Sequence, residues 1–242
     1  MKKILIILVL LVTSRTAWTQ SYYVEYVIGD EDGKGALLIN DTLSYWQETF
    51  FLGGNNDDII KLSSDYKIFL VKKNKANFLY YSYKTFDRVF LITDSLHIMQ
   101  WKLEKETKEI LGFKCKSAST IFRGRKYTAY YTTKIPLSNG PWKFGGLPGL
   151  ILQIISHDDR AFNFTATKIL QKQIPTIQDI PAYEPQKFIT WKQFQRIYEE
   201  LCQAQISRIK ANLKPGEMSQ LLYLTREVIY PPINTGKGVR IE

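Results

Sequence analysis

The sequence predicts a mainly β protein of the α+β class, in which a curved antiparallel meander or incomplete barrel carries one amphipathic C-terminal helix. Three observations support this fold class. Aromatic and β-branched residues dominate the first two thirds of the chain in short runs separated by turn formers, which is typical of antiparallel strands. The links between these runs are of hairpin length, which favours a meander that curls on itself. One long segment with helical periodicity begins near Thr190.

The predicted strands are short apolar or alternating runs, and most have an ordinary strand length. They span residues 22–28, 36–40, 42–50, 66–72, 76–83, 88–93, 97–103, 113–122, 126–133, 150–156 and 162–169. The charged stretch 104–109 is predicted to be a turn, and residues 221–230 are a candidate last strand. The chain contains no repeat of the kind that builds a propeller or a solenoid.

The helix prediction depends on a capping box, because Thr190 is followed three residues later by Gln193. Apolar residues then recur at three- and four-residue spacing, so a helix over about 190–210 should pack one face on the sheet. Three prolines mark residues 173–187 as a linker between sheet and helix. The tail from Asn234 onward is expected to be flexible.

The N-terminus indicates export. Lys2 and Lys3 precede an apolar run over residues 4–12, which predicts a signal peptide at 1–19 and a single domain at 20–242. The run is far shorter than the ~20 residues that span a bilayer as a helix. The first cysteine is Cys115, so no lipoprotein acceptor follows the apolar segment. We therefore expect a periplasmic or secreted protein without a transmembrane helix after cleavage.

The charge distribution narrows the choice of partner. The formal net charge is +10, but lysines and arginines are scattered among acidic residues. Nucleic acid is not an expected partner, because the chain has no basic stripe. Anionic lipid headgroups are compatible with this charge. No glycine-rich loop joins a strand to a helix, so no nucleotide cofactor is predicted.

Residues 110–154 carry a family resemblance. The segment contains Gly146-Leu147-Pro148-Gly149-Leu150-Ile151, and upstream of it, in order, lie Gly112-Phe113-Lys114-Cys115, Gly124-Arg125, Tyr130-Tyr131-Thr132, Ile135-Pro136 and Gly140-Pro141. This order of motifs resembles the GLPGLI family of Bacteroidota. The resemblance implies a GLPGLI-type domain exported by a bacterium of that group. It implies no catalytic mechanism.

The bend within this segment is the candidate binding site. Its members are Trp142, Phe144, Leu147, Pro148 and Gly149. Two interpretations stay open for its three large side chains. Either the bend covers one end of the barrel and its side chains cap the core, or they form an exposed apolar loop that docks on a partner or a lipid.

The remaining candidates for chemistry are few. Cys115 and Cys202 are the only cysteines, so they form either a disulfide or two separate buried thiols. The only histidines are His97 and His157, which excludes a three-histidine zinc site. His157 stands beside two aspartates in a predicted solvated turn, so no metal site is predicted. No motif of a hydrolase nucleophile occurs.

The function that fits these observations is a periplasmic binding or accessory protein of the cell envelope. Its ligand would be apolar, or its partner would be an outer-membrane protein or lipid, because 14% of the residues are aromatic and can line a cavity. Two alternatives stay open. One is an envelope hydrolase whose active site is assembled from dispersed residues, and the other is a structural subunit of a membrane complex.

Overall fold

The structure, a computed structural model, describes most of the chain after the predicted signal peptide. The described residues are 21–30, 33–40, 42–50, 69–74, 76–86, 88–95, 99–171, 184–223, 225–236 and 238–242, with only the backbone described at Thr49 and Phe50. The predicted signal peptide, most of the predicted linker and His97 lie outside these ranges.

The fold is one long sheet that is not closed into a barrel, and one helix near the C-terminus of the chain packs on this sheet. Its strands are antiparallel to their neighbours except at β12, which pairs with β6 in parallel. The strands are β1 (Tyr22–Ile28), β2 (Gly33–Ile39), β3 (Leu43–Phe50), β4 (Phe69–Lys73), β5 (Phe78–Thr85), β6 (Arg88–Ser95), β7 (Lys102–Ile110), β8 (Phe113–Phe122), β9 (Arg125–Thr132), β10 (Leu150–Ser156), β11 (Phe164–Gln171) and β12 (Ile189–Thr190). Their order across the sheet is β12-β6-β5-β4-β3-β2-β1-β11-β10-β9-β8-β7. The predicted fold class is confirmed.

Strand β7 corrects one prediction. The charged stretch 104–109 is not a turn, because it forms most of β7, an edge strand whose side chains are exposed except at Ile110. Charged residues on both faces of an edge strand oppose pairing with other chains, and they also remove the apolar alternation on which strand prediction depends. The turn follows at Leu111-Gly112, where φ angles of 51° and 77° fit a two-residue hairpin.

The sheet curls on itself. Asp94 on β6 and Arg123 in the turn between β8 and β9 lie near opposite ends of the strand order, yet their side chains form an ion pair at 2.6 Å. The face enclosed by this curl carries the main core, to which alternate residues such as Val24 and Tyr26 contribute. A smaller apolar cluster around Tyr45 and Val71 lies on the opposite face.

Helix α1 (Trp191–Asn212) confirms the predicted capping box. Gln193 N donates to the Thr190 side chain, and Gln193 Oε1 accepts from Thr190 N at 2.8 Å. The helix buries Phe194, Tyr198 and Cys202. Phe194 contacts strand aromatics, so the apolar face packs on the sheet as the periodicity predicts.

The C-terminal residues differ from prediction. Among the described residues of the predicted strand 221–230, only Leu221 lies in a strand, β13 (Ser219–Leu221). Helix α2 (Pro231–Asn234) ends at the first residue of the tail predicted to be flexible, and that tail contains β14 (Val239–Ile241), which pairs with β13. Asn234 is buried, and its side chain binds Tyr198 and the backbone of Tyr230. These tertiary hydrogen bonds order the segment and have no local sequence pattern. Within the described part of the chain, no helix has both the length and the apolar character needed to cross a membrane.

Candidate functional site: an aromatic cleft beside buried ion pairs

Residues 133–149 form the loop between β9 and β10, called here the glycine-rich loop, and this loop is fixed to the sheet by side chains. Lys72 on β4 donates hydrogen bonds from Nζ to the carbonyl oxygens of Gly140 and Phe144, each at 2.9 Å. Trp101 donates from Nε1 to the carbonyl oxygen of Gly145 at 2.8 Å. These bonds satisfy carbonyl groups that no regular strand pairs, so the loop has one defined conformation.

The end of the loop requires glycine. Gly149 has a φ angle of 157°, and a Cβ atom there would lie 2.1 Å from the carbonyl oxygen of Thr132. Any side chain would therefore push the loop away from β9. Gly149 is buried, whereas the preceding Pro148 is exposed.

The three large side chains of the predicted binding loop are not on the surface. Trp142 is 9% exposed, Leu147 is 2% exposed and Phe144 is fully buried. Phe144 packs edge-on against Tyr127 and Phe164 of the sheet. Of the two interpretations of this bend, the structure therefore shows core capping and no exposed apolar loop.

Four charged side chains, the buried Lys143, Glu227 and Asp94 and the partly buried Arg123, form a group at this loop that is called here the ion network. Lys143, which is 1% exposed, donates to both carboxylate oxygens of Glu227 at 2.7 and 2.9 Å and to the Tyr81 hydroxyl at 2.9 Å. Arg123 binds Glu227 at 2.5 Å and Asp94 at 2.6 Å. Two carboxylates thus face two cations, so the charges of the network balance.

Burial and charge act against each other in the ion network. Burial lowers the pKa of Lys143, Glu227 acts to raise it, and the nearby Arg123 adds to the lowering. For Arg123, burial alone would lower the pKa, but the carboxylates of Glu227 and Asp94 outweigh burial and raise it. Burial, together with the same carboxylates, raises the pKa of the Tyr81 hydroxyl well above its ordinary value. The Arg123 guanidinium therefore stays charged and the Tyr81 phenol stays protonated.

A two-residue turn places Arg123 in the network. Arg123 and Gly124 have φ angles of 46° and 83°, as a tight hairpin between β8 and β9 requires. A Cβ atom at Gly124 would lie 2.8 Å from the Val228 side chain, so glycine allows the C-terminal segment to approach. Val228 N donates to the carbonyl oxygen of Arg123 at 2.9 Å.

Residues 225–236, called here the C-terminal strap, cross the end of the β8–β9 hairpin. Arg125 donates to the carbonyl oxygens of Thr225 at 2.5 Å and Asn234 at 2.8 Å. The Tyr127 hydroxyl donates to the carbonyl oxygen of Arg226 at 2.8 Å. The strap is thus fixed at both ends, and it presents Arg226 and Glu227 to the interior of the curled sheet.

A cleft of about 260 Å³ opens beside the ion network. Its wall combines aromatic rings with a few charged and hydroxyl groups, which is the usual composition of a ligand site. The strands, the glycine-rich loop and the strap all contribute. The lining residues are Trp46, Glu48, Phe69, Leu70, Tyr81, Ser82, Tyr83, Lys84, Trp142, Phe162, Thr225, Arg226 and Glu227.

A second ion pair is fixed on the cleft wall. Arg226 binds Glu48 through Nη1, and Glu48 also accepts a hydrogen bond from Trp46 Nε1 at 2.8 Å. The guanidinium group lies over the ring of Phe164, 4.9 Å from its centroid, and 5.9 Å from the Trp142 centroid. Rings and carboxylate together hold the cation in one orientation.

Two further lining residues of β5 add polar groups to this cleft. The Tyr83 ring packs on Phe194 of α1 with its centroid 5.1 Å away, and within the described chain its hydroxyl has no hydrogen-bond partner. Its pKa is raised by burial, so this hydroxyl stays protonated. The neighbouring Lys84 is exposed and lines the same cleft. A ligand would therefore meet the Tyr83 hydroxyl beside the aromatic wall.

The cysteines and His157 lie away from this cleft lining. Cys115 on β8 and Cys202 on α1 are free buried thiols, so the structure contains the two separate thiols and not the disulfide. Burial raises the pKa of each thiol to about 11, which disfavours the thiolate. His157 forms a hydrogen bond with Thr128 on an exposed surface at 2.8 Å. Among the residues that the structure describes, no group of three or more His, Cys, Asp or Glu side chains is placed to hold a metal ion.

Comparison with known proteins gives the family. The family described as "N-glycanase peptide, N-terminal domain" matches residues 42–191, more than half of the chain. The chain belongs to this N-glycanase N-terminal-domain family. No curated protein matches the chain in sequence.

Two solved structures resemble this member of the N-glycanase N-terminal-domain family. PNGF-II in space group P21 has a TM-score of 0.51 and 16% identity, over 71% of this chain and 31% of that chain. PNGF-II in space group C2 has a TM-score of 0.48 and 17% identity, with the same coverage. At this identity the first likeness shows the fold alone. The chain thus spans about a third of the length of the PNGF-II chain.

The match to the N-glycanase N-terminal-domain family divides the cleft. Glu48 and Trp142 lie inside the matched residues, whereas Arg226 and Glu227 on the strap lie beyond them. The cleft of this chain is therefore completed by a segment outside the matched region.

Sequence reasoning placed Trp142 in a binding site but missed its charged neighbours. Glu48 and Trp46 are two residues apart on β3, so strand periodicity places both side chains on one face of the sheet, next to an apolar core position. That spacing was a usable signal for Glu48. Arg226 and Glu227 lie in the segment predicted to be a last strand, and no local pattern there indicates that their side chains reach the cleft.

Proposed function

We propose that this chain is an exported binding module of the bacterial cell envelope, and that its aromatic cleft binds a saccharide. The observation that carries the proposal is the cleft itself, where several aromatic rings stand beside charged groups held in fixed orientations. A cleft of about 260 Å³ is close to the lower limit for ligand sites, which suits one or two sugar rings.

The composition of the cleft argues against a purely apolar ligand. Glu48 and Arg226 line the wall, and an apolar ligand would remove water from both charges without replacing its hydrogen bonds. A pyranose ring has an apolar C–H face and a rim of hydroxyl groups. The face can stack on the half-buried ring of Tyr83, and the rim can bind the charged groups of the wall.

Family membership supports the same ligand class. The family is named after an N-glycanase, and a glycan is the ligand to which that name points. The chain covers only 31% of PNGF-II, which supports an accessory role and does not by itself assign the activity of the whole enzyme. The raised pKa values of Cys115 and Cys202 give the hydrolase alternative no activated cysteine nucleophile.

Location and partners follow from the sequence. The pattern of residues 1–19 supports export, and the resemblance of residues 110–154 supports a GLPGLI-type protein of a Bacteroidota envelope. Within that envelope, an outer-membrane protein or lipid is the proposed docking partner and nucleic acid is not. The buried side chains of Trp142, Phe144 and Leu147 mean that docking would use another surface than these rings.

Glycan-array screening of the mature protein, followed by calorimetric titration of the best ligands, tests the proposal. We expect binding to a defined group of glycans that weakens at least tenfold in Tyr83→Leu. Phe90→Leu is the matched control, because Phe90 packs on Phe194 at 5.3 Å much as Tyr83 does at 5.1 Å but does not line the cleft. The absence of binding to any glycan, or equal loss in both variants, would overturn the proposal.

A further inference from the structure

Arg226 has hydrogen-bonding capacity that the fold does not use. A guanidinium group carries five N–H donors, and within the described residues only Nη1 of Arg226 has a hydrogen-bond acceptor, the Glu48 carboxylate. Arg226 lines the cleft, and its side chain is 17% exposed. The Nε and Nη2 donors are therefore available to a ligand that occupies the cleft.

The orientation of this guanidinium is fixed before any ligand binds. Phe164 lies under it at 4.9 Å, and Glu48 holds one end while Trp46 orients Glu48. A preorganised planar donor pair matches a carboxylate, which presents two oxygen atoms in one plane. Little side-chain entropy is lost when such a group binds its ligand.

The carboxylates around the cleft do not oppose an anion. Glu227 is already paired with Lys143 and Arg123, and Glu48 is paired with Arg226, so no unneutralised carboxylate would repel a ligand carboxylate. The chain carries a net charge of +10, of which Lys2, Lys3 and Arg15 of the predicted signal peptide supply three, and the remaining positive charge attracts an anion at long range.

We propose that the saccharide bound in the cleft carries a carboxylate, and that the Nε and Nη2 donors of Arg226 bind it. This inference rests on the proposed function, and it names the ligand class as an acidic sugar such as a uronic or sialic acid. A neutral sugar would offer the second donor edge of Arg226 only hydroxyl oxygens, which form weaker hydrogen bonds than a carboxylate does, and this disfavours it relative to the acid. The aromatic wall then packs against the sugar ring that carries the carboxylate.

The test uses an acidic oligosaccharide and its carboxyl-reduced counterpart, which differ only in the charged group. Calorimetric titration of the mature wild-type protein should give an affinity about tenfold or more higher for the acid, since charge-assisted bidentate hydrogen bonds are the stronger class. The preference should fall as salt concentration rises. Equal affinities for the two ligands would overturn the inference and leave saccharide binding intact.

Variants separate recognition from folding. Arg226→Gln alone would leave Glu48 buried without its cation, so the double variant Glu48→Gln/Arg226→Gln is used because it removes both charges. We expect it to bind the acid and the reduced sugar equally, at the affinity that wild type shows for the reduced sugar. Glu48→Gln alone keeps the guanidinium and should keep the preference.

Two results would count against these assignments in different ways. A double variant that still prefers the acid would overturn the role of Arg226 while leaving the ligand class standing. Binding of an acidic peptide in the cleft, with no saccharide of either kind bound, would overturn the proposed function itself.

Discussion

Two buried lysines anchor the glycine-rich loop through different partners. The comparison separates hydrogen bonding to the loop backbone from the balance of buried charge beside the cleft. Lys72 is 2% exposed, and the hydrogen bonds of its Nζ go to the neutral carbonyl oxygens of Gly140 and Phe144. Lys143 is 1% exposed and binds the carboxylates of Glu227 and Asp94. Lys72 therefore holds the loop backbone in place, whereas Lys143 compensates buried carboxylate charge.

The difference appears in the proton affinity of each ammonium group. Burial lowers the pKa of Lys72 well below its ordinary value. For Lys143, burial also lowers the pKa, but Glu227 and Asp94 act in the opposite direction. The backbone anchor is therefore sensitive to pH, whereas the ion network is sensitive to the removal of any one of its charges.

The largest expected effect is loss of the carboxylate that the ion network shares. Glu227→Ala leaves Lys143 and Arg123 buried with only Asp94 to face both cations, so we expect the free energy of unfolding to fall by about 3–5 kcal/mol. Urea unfolding followed by tryptophan fluorescence measures the change. In the double variant Lys143→Met/Glu227→Ala, the loss should be smaller than the sum of the two single losses, because each single variant leaves a partner charge uncompensated. Strict additivity would show that the two charges do not interact.

Replacing each of the two lysines separately by methionine should lower the free energy of unfolding by an intermediate amount. Lys143→Met leaves Glu227 with Arg123 alone, and we expect it to cost about 3 kcal/mol, since it breaks a buried charge pair. Lys72→Met leaves two carbonyl oxygens without a donor, and we expect a loss of about 1–2 kcal/mol. Urea unfolding of both variants at one pH makes the comparison. If Lys72→Met lowers the free energy of unfolding more than Lys143→Met does, the hydrogen bonds to the loop carbonyl oxygens contribute more to stability here than the balance of buried charge.

The same comparison explains how far the sequence predicts the molecule. The strands at Tyr22–Ile28 and Phe113–Phe122 were predicted with their observed bounds, because alternating burial and adjacent turn residues are local signals. Lys72 also has a local signal, since it lies two residues after the buried Leu70 on β4 and strand periodicity turns both to one face. The strand pattern was thus sufficient to predict that Lys72 is buried.

The cleft was not predictable, because its walls meet only through long-range folding. Glu48 pairs with Arg226 across 178 positions, and Lys143 pairs with Glu227 across 84. Neither pair follows a spacing that strands or helices impose. The edge strand β7 was missed for a different reason, because its charged side chains serve to protect an edge and carry no apolar period.

The smallest effect is a pH dependence that belongs to Lys72. Its pKa is lowered in the folded state and is near 10.5 in the unfolded chain, so between these two values the unfolded state binds more protons than the folded state. The contribution of Lys72 to stability therefore increases as pH rises through this window, by at most about 1.4 kcal/mol per pH unit. Urea unfolding of wild type and Lys72→Met from pH 7 to 9.5 should show a difference in the free energy of unfolding between the two proteins that grows with pH.

Cys115 and Cys202 have raised pKa values that act in the opposite sense above pH 9, but both proteins contain them, so their effects cancel in the difference. A difference that stays constant with pH would mean that the Lys72 ammonium keeps its proton equally well in both states, and the loop would then be anchored by a solvated charge.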